Sequence, residues 1–232
     1  MKKNILVSIC CITYNQENYI RDALDSFLMQ KTNFNYEIII HDDASTDNTA
    51  LIIKEYEKKY PKIIRPIYQK ENQYSKGRNV LLNVFKKAIG RYIAICEGDD
   101  YWLDSYKLQK QFDYMEKNKD CGLCFHGVEI LEDKTKRIIG EIKAASENRI
   151  ISTSEIILGG GSFIGTNSIF SKREILQNLP EFFEKSPVGD YPLQIITSTK
   201  DYAYFINENM SIYRTNVENS WTSQELKPEK DV

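Results

Sequence analysis

Nowhere does this chain hold the roughly 18–20 consecutive apolar residues that a spanning helix needs, so no helical membrane span is expected. An excess of one charge is missing as well. The net charge is −2, which offers no basic field for nucleic acid or for an anionic surface. No G-x-G-x-x-G follows the first apolar run and no G-x-x-x-x-G-K-[ST] occurs, which removes the main support for dinucleotide oxidoreductases and P-loop nucleotidases. H-E-x-x-H and G-x-S-x-G are also absent. There is no internal repeat and no linker rich in proline, glycine or serine. Cysteine is sparse and odd in number: Cys10, Cys11, Cys96, Cys121 and Cys124 sit mostly inside apolar runs, which predicts reduced buried thiols and not a disulfide framework. "CGLCFH" sets Cys121, Cys124 and His126 at a spacing that could hold a metal. With one other histidine and no second cysteine pair, a buried strand is the better reading. The opening "MKKNILVSICCITYNQ" imitates a signal peptide but is broken by Thr13 and Asn15 and lacks a small-residue cleavage site, so it reads as a first strand of a cytoplasmic protein.

The first half of the chain alternates two periods. Residues 5–12, "YEIIIHDD", "IIRPIYQ" and "RYIAICEGDD" are short, nearly continuous apolar runs. Between them, "NQENYIRDALDSFLMQ", "STDNTALIIKEYEKKY", "GRNVLLNVFKKAIG" and "DSYKLQKQFDYMEKN" carry apolar residues at helical spacing. Strands buried on both faces and separated by helices imply an α/β fold, a doubly wound and mostly parallel sheet. After about residue 120 the rhythm changes. "LCFHGVEIL" and "KRIIGEI" read as an antiparallel hairpin, "SFIGTNSIF" as a strand, "GDYPLQIITSTK" as a helix, and "YAYFIN" and "MSIYR" as two short strands. The expected organisation is one domain over 1–218, with a nucleotide-type half at 1–118, an antiparallel accessory half at 119–218, and a polar tail at 219–232.

Ligands of such sheets bind beyond the carboxyl ends of the strands, and two of the four strands end there in paired acids: Asp42–Asp43 and, after Glu97, Asp99–Asp100. Carboxylates packed together raise one another's pKa and repel. A hard divalent ion shared with phosphates relieves this, and Mg²⁺ takes one or two carboxylates in such sites. The competing reading of "EGDD" is a solvated acidic turn ahead of the helix from Asp104. "DDASTDNT" imitates the start of a calcium loop but puts Asp47 and Ile53 where that loop needs glycine and glutamate.

Taken in order, "CITYNQENYIRDALDSFLMQ", "IIIHDDASTDNT" and "GRYIAICEGDDYWLDSYKLQKQ" resemble the family 2 glycosyltransferases of GT-A fold, closely over residues 5–115 and more loosely through "GTNSIF", "GDYPLQ" and "YR" to about residue 215. The resemblance implies an inverting, metal-dependent transfer of a sugar from a nucleotide diphosphate to an acceptor hydroxyl. It places Thr13, Tyr14, Asn15 and Glu17 along the nucleotide, with Asp43, and Asp42 beside it, at a uracil ring. Arg78 falls near the nucleotide. Glu97, Asp99 and Asp100 occupy the family's DxD region, Asp99 toward the ribose and Asp100 on Mn²⁺ or Mg²⁺; glutamate at the first position departs from the commoner aspartate. Asp190 is the implied base, with Glu181 and Glu184 as neighbours that could replace it, and an N-cap is its structural alternative. "GGGSFIGTNSIF" would shape the acceptor side, and Tyr101 or Trp102 would either stack on a sugar or fill the core. The implied partners are a nucleotide-sugar donor and a glycan or lipid-linked glycan acceptor, with peripheral contact at the inner face of the membrane. Two rivals stay open: a non-catalytic nucleotide-sugar or carbohydrate binder, and a nucleotidylyltransferase, which would want a glycine-rich loop with arginine after the first strand.

Overall fold

The computed structural model describes residues 4–186, 189–199 and 202–217; the tail at 219–232 lies outside them. The first half runs β1 (Ile5–Thr13), α1 (Ile20–Leu28), β2 (Asn35–Asp42), α2 (Thr49–Lys59), β3 (Ile64–Tyr68), α3 (Val80–Lys87), β4 (Tyr92–Ile95), β5 (Tyr101–Trp102) and α4 (Lys107–Lys117). The second half runs β6 (Cys121–Glu132), β7 (Arg137–Ile142), β8 (Arg149–Ile151), α5 (Thr153–Gly159), β9 (Phe170–Lys172), α6 (Arg173–Gln177), α7 (Asp190–Thr199) and β10 (Tyr202–Thr215).

All ten strands belong to one mixed sheet, ordered β3-β2-β1-β4-β9-β6-β10-β5, with β7 on β6 and β8 on β10. The block β3-β2-β1-β4 is parallel, as are β6 and β10, and antiparallel β9 joins the two blocks. Strands of the first block are apolar on both faces because helices cover both. Val7, Ile9 and Cys11 of β1 pack with α1, α2 and α4 through Ile20, Leu24, Phe27, Ile53, Leu108 and Phe112. Cys10 faces the other side, toward Val84 and Phe85 of α3, Leu176 of α6 and Leu193 of α7. The buried residues of α1, Ile20, Ala23, Leu24 and Phe27, recur every three or four positions and so form the one stripe this packing needs. No helix of the described residues is long and apolar enough to cross a membrane.

Three expectations need correction. "SFIGTNSIF" is not a strand: a 3-10 turn at Thr166–Ser168 precedes the short β9, because Gly165 and Asn167 serve a turn stapled from outside. "YAYFIN" and "MSIYR" are one strand, β10, that absorbs residues 206–211 as bulges against β6. The helix expected from Asp104 starts at Lys107, since Asp104 Oδ1 instead accepts from the Tyr106 amide at 2.8 Å.

At the end of the sheet away from the acidic strand ends, a fully buried Glu37 ties four segments together. It accepts from Ser8 Oγ at 2.6 Å and from the Ile89 amide at 2.9 Å, and pairs with Arg65. Gly90 must be glycine there, since a Cβ would lie 2.6 Å from the Ser8 nitrogen. Glu37→Ala strands the Ile89 amide and is expected to cost about 1–3 kcal/mol of unfolding free energy; a urea midpoint equal to the parent's would show that the amide finds another partner.

Candidate active site

The parallel register carries β1 and β2 to their carboxyl ends together, with Thr13 opposite Asp42. Beyond that point the Asp43 amide donates to the Thr13 carbonyl at 3.0 Å, and the Gly98 amide donates to the Ile12 carbonyl at 3.0 Å. The two acidic segments therefore flank the end of β1. Thr13 is buried and its Oγ donates to Gln16 Oε1 at 2.7 Å. Gly98 presses against this pair: a Cβ there would sit 2.5 Å from Gln16 Oε1 and 2.8 Å from Thr13 Oγ1. Only glycine lets the chain close this tightly, and that closeness lets Gln16 hydrogen-bond Asp99.

Asp100 is buried, and both its oxygens are held. Oδ2 accepts from Asn167 Nδ2 at 2.9 Å and Oδ1 from the Arg214 amide at 2.9 Å. Asn167 is itself fixed on all sides: its Nδ2 donates to the Ile212 carbonyl at 2.8 Å, its Oδ1 accepts from Ser211 Oγ at 2.8 Å, and its carbonyl accepts from Trp102 Nε1 at 3.0 Å. Glu97 and Asp99 remain partly exposed. The buried Arg214 guanidinium donates to the Asp99 carbonyl at 2.6 Å, pairs with Asp22, and lies 4.6 Å from the Tyr101 ring centroid and 5.2 Å from that of Tyr19.

Charge in this corner is strained. Burial, then the charges of Asp99 and Asp190, pushes the Glu97 carboxyl up to about 8. Burial also raises Asp99, against the pull of Arg214 and the Gln16 hydrogen bond. Asp100 rises well above the carboxylate range through burial, then through Asp99 and Glu97. Asp190, at the start of α7, thus lies within electrostatic reach of Glu97. Asp190 is the first residue of α7 and its Oδ1 accepts from the Tyr191 amide at 2.8 Å. The helix is anchored to α5 by Tyr191 Oη on the Ile157 carbonyl at 2.9 Å and to the glycine-rich stretch by Gln194 Nε2 on the Ile164 carbonyl at 3.0 Å. Glu181 and Glu184 are exposed and are not among the charges that act on Glu97.

The other expected residues lie as follows. Asp43 is buried and accepts from the Gln73 and Tyr74 amides at 2.8 and 2.9 Å, while Arg78 donates to Gln73 Oε1 at 2.6 Å; both hold the 70–78 loop. Asp42 is buried beside it, raised by burial against hydrogen bonds from Ser45 to its carboxyl, with Oδ1 lacking a hydrogen-bond partner among the described residues. Asn15, at φ 52°, and Glu17 turn toward the 45–48 loop: Asn15 Oδ1 accepts from the Thr46 amide at 2.7 Å and Glu17 Oε2 from the Asn48 amide at 2.8 Å. Tyr14 is exposed. Trp102 cannot stack on a sugar, because it is buried against Phe27 with ring centroids 4.8 Å apart, and the Tyr101 ring is covered by Arg214. Cys121, Cys124 and His126 lie inside buried β6. Gln16, Asn167 and Arg214 organise the corner, and sequence reading did not single them out; "TYNQ", "GTNS" and "YR" carried the only signal.

Among the described residues, no group of three or more His, Cys, Asp or Glu side chains is arranged to hold a metal by itself. The donor set still fits a hard cation that completes its shell with phosphate oxygens: Glu97 and Asp99 are partly open, burial raises all three carboxyls of this corner, and neighbouring carboxylates raise Glu97 and Asp100 further.

The model described as "Glycosyl transferase family 2" matches residues 8–177. An uncharacterized protein of Mycobacterium tuberculosis is 38% identical over 221 residues, 94% of this chain and 61% of the relative. The Escherichia coli UDP-Glc:alpha-D-GlcNAc-diphosphoundecaprenol beta-1,3-glucosyltransferase WfgD is 34% identical over 143 residues, 60% of this chain and 51% of that protein. The chain thus spans about 61% or less of these relatives' length. Among solved structures, S. aureus TarS 1-349 in complex with UDP-GlcNAc aligns over 94% of this chain and 61% of its own, at TM-score 0.72 and 16% identity, which shows a shared GT-A fold.

Glu97 keeps its proton in the folded chain up to about 8 and loses it near the ordinary glutamate value when unfolded, so stability falls as pH rises between the two. Glu97→Gln is therefore expected to melt above the parent at pH ~8 without metal and to converge with it near pH ~4.5. Parallel melting curves at both pH values would overturn this.

Proposed function

The chain belongs to glycosyl transferase family 2, and on that premise we propose that it moves a sugar, with inversion, from a UDP-sugar to a hydroxyl of a glycan or lipid-linked glycan in surface polysaccharide synthesis. The observation that carries the reading is the meeting of Asp42–Asp43, Glu97–Asp99–Asp100 and Asp190 at one edge of the sheet, with Asp190 close enough to act on Glu97. Residues 1–118 form the donor half and 119–218 the acceptor half. The buried Asp42 Oδ1, an acceptor without a donor, suits a base N–H, and Asp43 with Arg78 holds the loop that borders it. Thr13 and Gln16 set the floor under Asp99, which faces the ribose and diphosphate. A divalent ion, Mn²⁺ or Mg²⁺, held by Asp99 and Asp100 with Glu97 beside them, would neutralise the diphosphate as its charge grows. The acceptor hydroxyl attacks C1 opposite the departing diphosphate, and Asp190 takes its proton as the bond forms. One displacement with one base inverts the anomeric centre. WfgD, named for transfer from UDP-Glc to a diphosphoundecaprenol-linked sugar, supports this donor and acceptor class.

Asp190→Asn keeps the shape and removes the base, so kcat is expected to fall about 10²–10⁴-fold with donor KM little changed. The measurement is UDP release with Mn²⁺ across donor and acceptor panels. A parent as inert as Asp190→Asn on every pair would favour a non-catalytic binder.

A further inference from the structure

Behind the carboxylates lies a buried group that none of the proposed steps uses. Lys107, the first residue of α4, is fully buried. Its Nζ sits 3.9 Å from the Trp102 ring centroid and donates to Gln111 Oε1 at 2.9 Å. Among the described residues no carboxylate lies within ion-pair distance of it. An ammonium removed from water is expensive to keep; burial lowers this one to about 7. Methionine would fill the same space without that cost, so the amine's two contacts call for a reason.

Both contacts lead to the same turn. Trp102 Nε1 donates to the Asn167 carbonyl at 3.0 Å, and Gln111 Nε2 donates to the next carbonyl, that of Ser168, at 2.9 Å. The Lys107 ammonium thus bears at once on the indole and on the amide that grip the 3-10 turn at Thr166–Ser168. Gripped from that side, the turn presents Asn167 Nδ2 to Asp100 Oδ2. An exposed turn would hold the carboxylate loosely; this one is stapled through two adjacent carbonyls to one buried cation.

We propose that Lys107 is a positioning residue for Asp100, acting through Trp102 and Gln111 on the Thr166–Ser168 turn. Its consequence for metal binding rests on the transfer reading above; its consequence for the ligand-free chain does not.

Two variants test it. Lys107→Met removes the ammonium at similar volume, and Trp102→Phe keeps a ring beneath Lys107 while deleting the donor to Asn167, so one remains informative if the other does not fold. The first readout is hydrogen exchange without ligand at the Arg214 amide, which donates to Asp100 Oδ1. Exchange there is expected to quicken about five- to tenfold, while the Gln73 and Tyr74 amides held by Asp43 keep the parent rate. The second is the Mn²⁺ concentration giving half-maximal thermal stabilisation with UDP, expected to rise about tenfold, with metal-free UDP binding unchanged. Phe205→Leu, a buried change elsewhere, controls for a general loss of stability. Unchanged Arg214 exchange in both variants, or quickening matched by Phe205→Leu or by the Gln73 and Tyr74 amides, overturns the proposal. A parent indifferent to Mn²⁺ in every nucleotide tested counts against the transfer reading, and the exchange data then decide the role of Lys107 alone.

Discussion

Like charge held out of water at the end of β4 is the constraint on which the rest depends. Burial raises all three carboxyls; Asp99 and Asp190 add to the rise of Glu97, and Asp99 and Glu97 add to that of Asp100. A chain can carry such a cluster only if its neighbours bring hydrogen atoms to it. Gln16, Asn167, the Arg214 amide and the Arg214 guanidinium do so from three distant parts of the sequence. The Arg214 guanidinium pulls Asp99 down, yet burial keeps all three carboxyls above their ordinary range.

This division of labour explains why the carboxylates differ. Asp100 is the inward one, held at both oxygens, and it ties the acidic turn to β10 and to the 166–168 turn. Glu97 and Asp99 are the outward ones. Asp43 resembles Asp100 in being an anchor, since its two oxygens shape the 73–74 backbone, while Asp42 keeps an unmatched acceptor.

Much of the first half was legible because apolar periodicity there is strong: β1 to β4 and the helices between them fall where the runs and stripes put them. The strand-end acids were legible because paired carboxylates after an apolar run have few inexpensive structural uses. The second half was less so. The 166–168 turn is flanked by Ile164, Ile169 and Phe170, which make the segment look like a strand, while hydrogen bonds from Ser168 to the Gly165 carbonyl and from Trp102 and Gln111 hold it as a turn. The bulges of β10 leave its two apolar stretches looking like separate strands. Asn167 and Arg214 carry little local signal beyond "GTNS" and "YR", since their value comes from partners 67 and 115 positions away. Asn15 and Glu17 stand in a segment that resembles a nucleotide wall, yet their hydrogen bonds go to the neighbouring 45–48 loop, a choice of direction that composition does not encode.

The reach of Arg214 has a consequence for biosynthesis. It joins Asp22 and the Asp99–Asp100 segment across separations of 192, 115 and 114 residues, on the last strand described. A nascent chain exposes its acidic turn to the ribosome exit long before the arginine that steadies it has been translated. Until then the amino-terminal block can collapse around its helices, but the corner has no counter-charge and no reason to hold one shape. Contacts of such range close slowly, so the acidic corner takes its final shape only once β10 is in place.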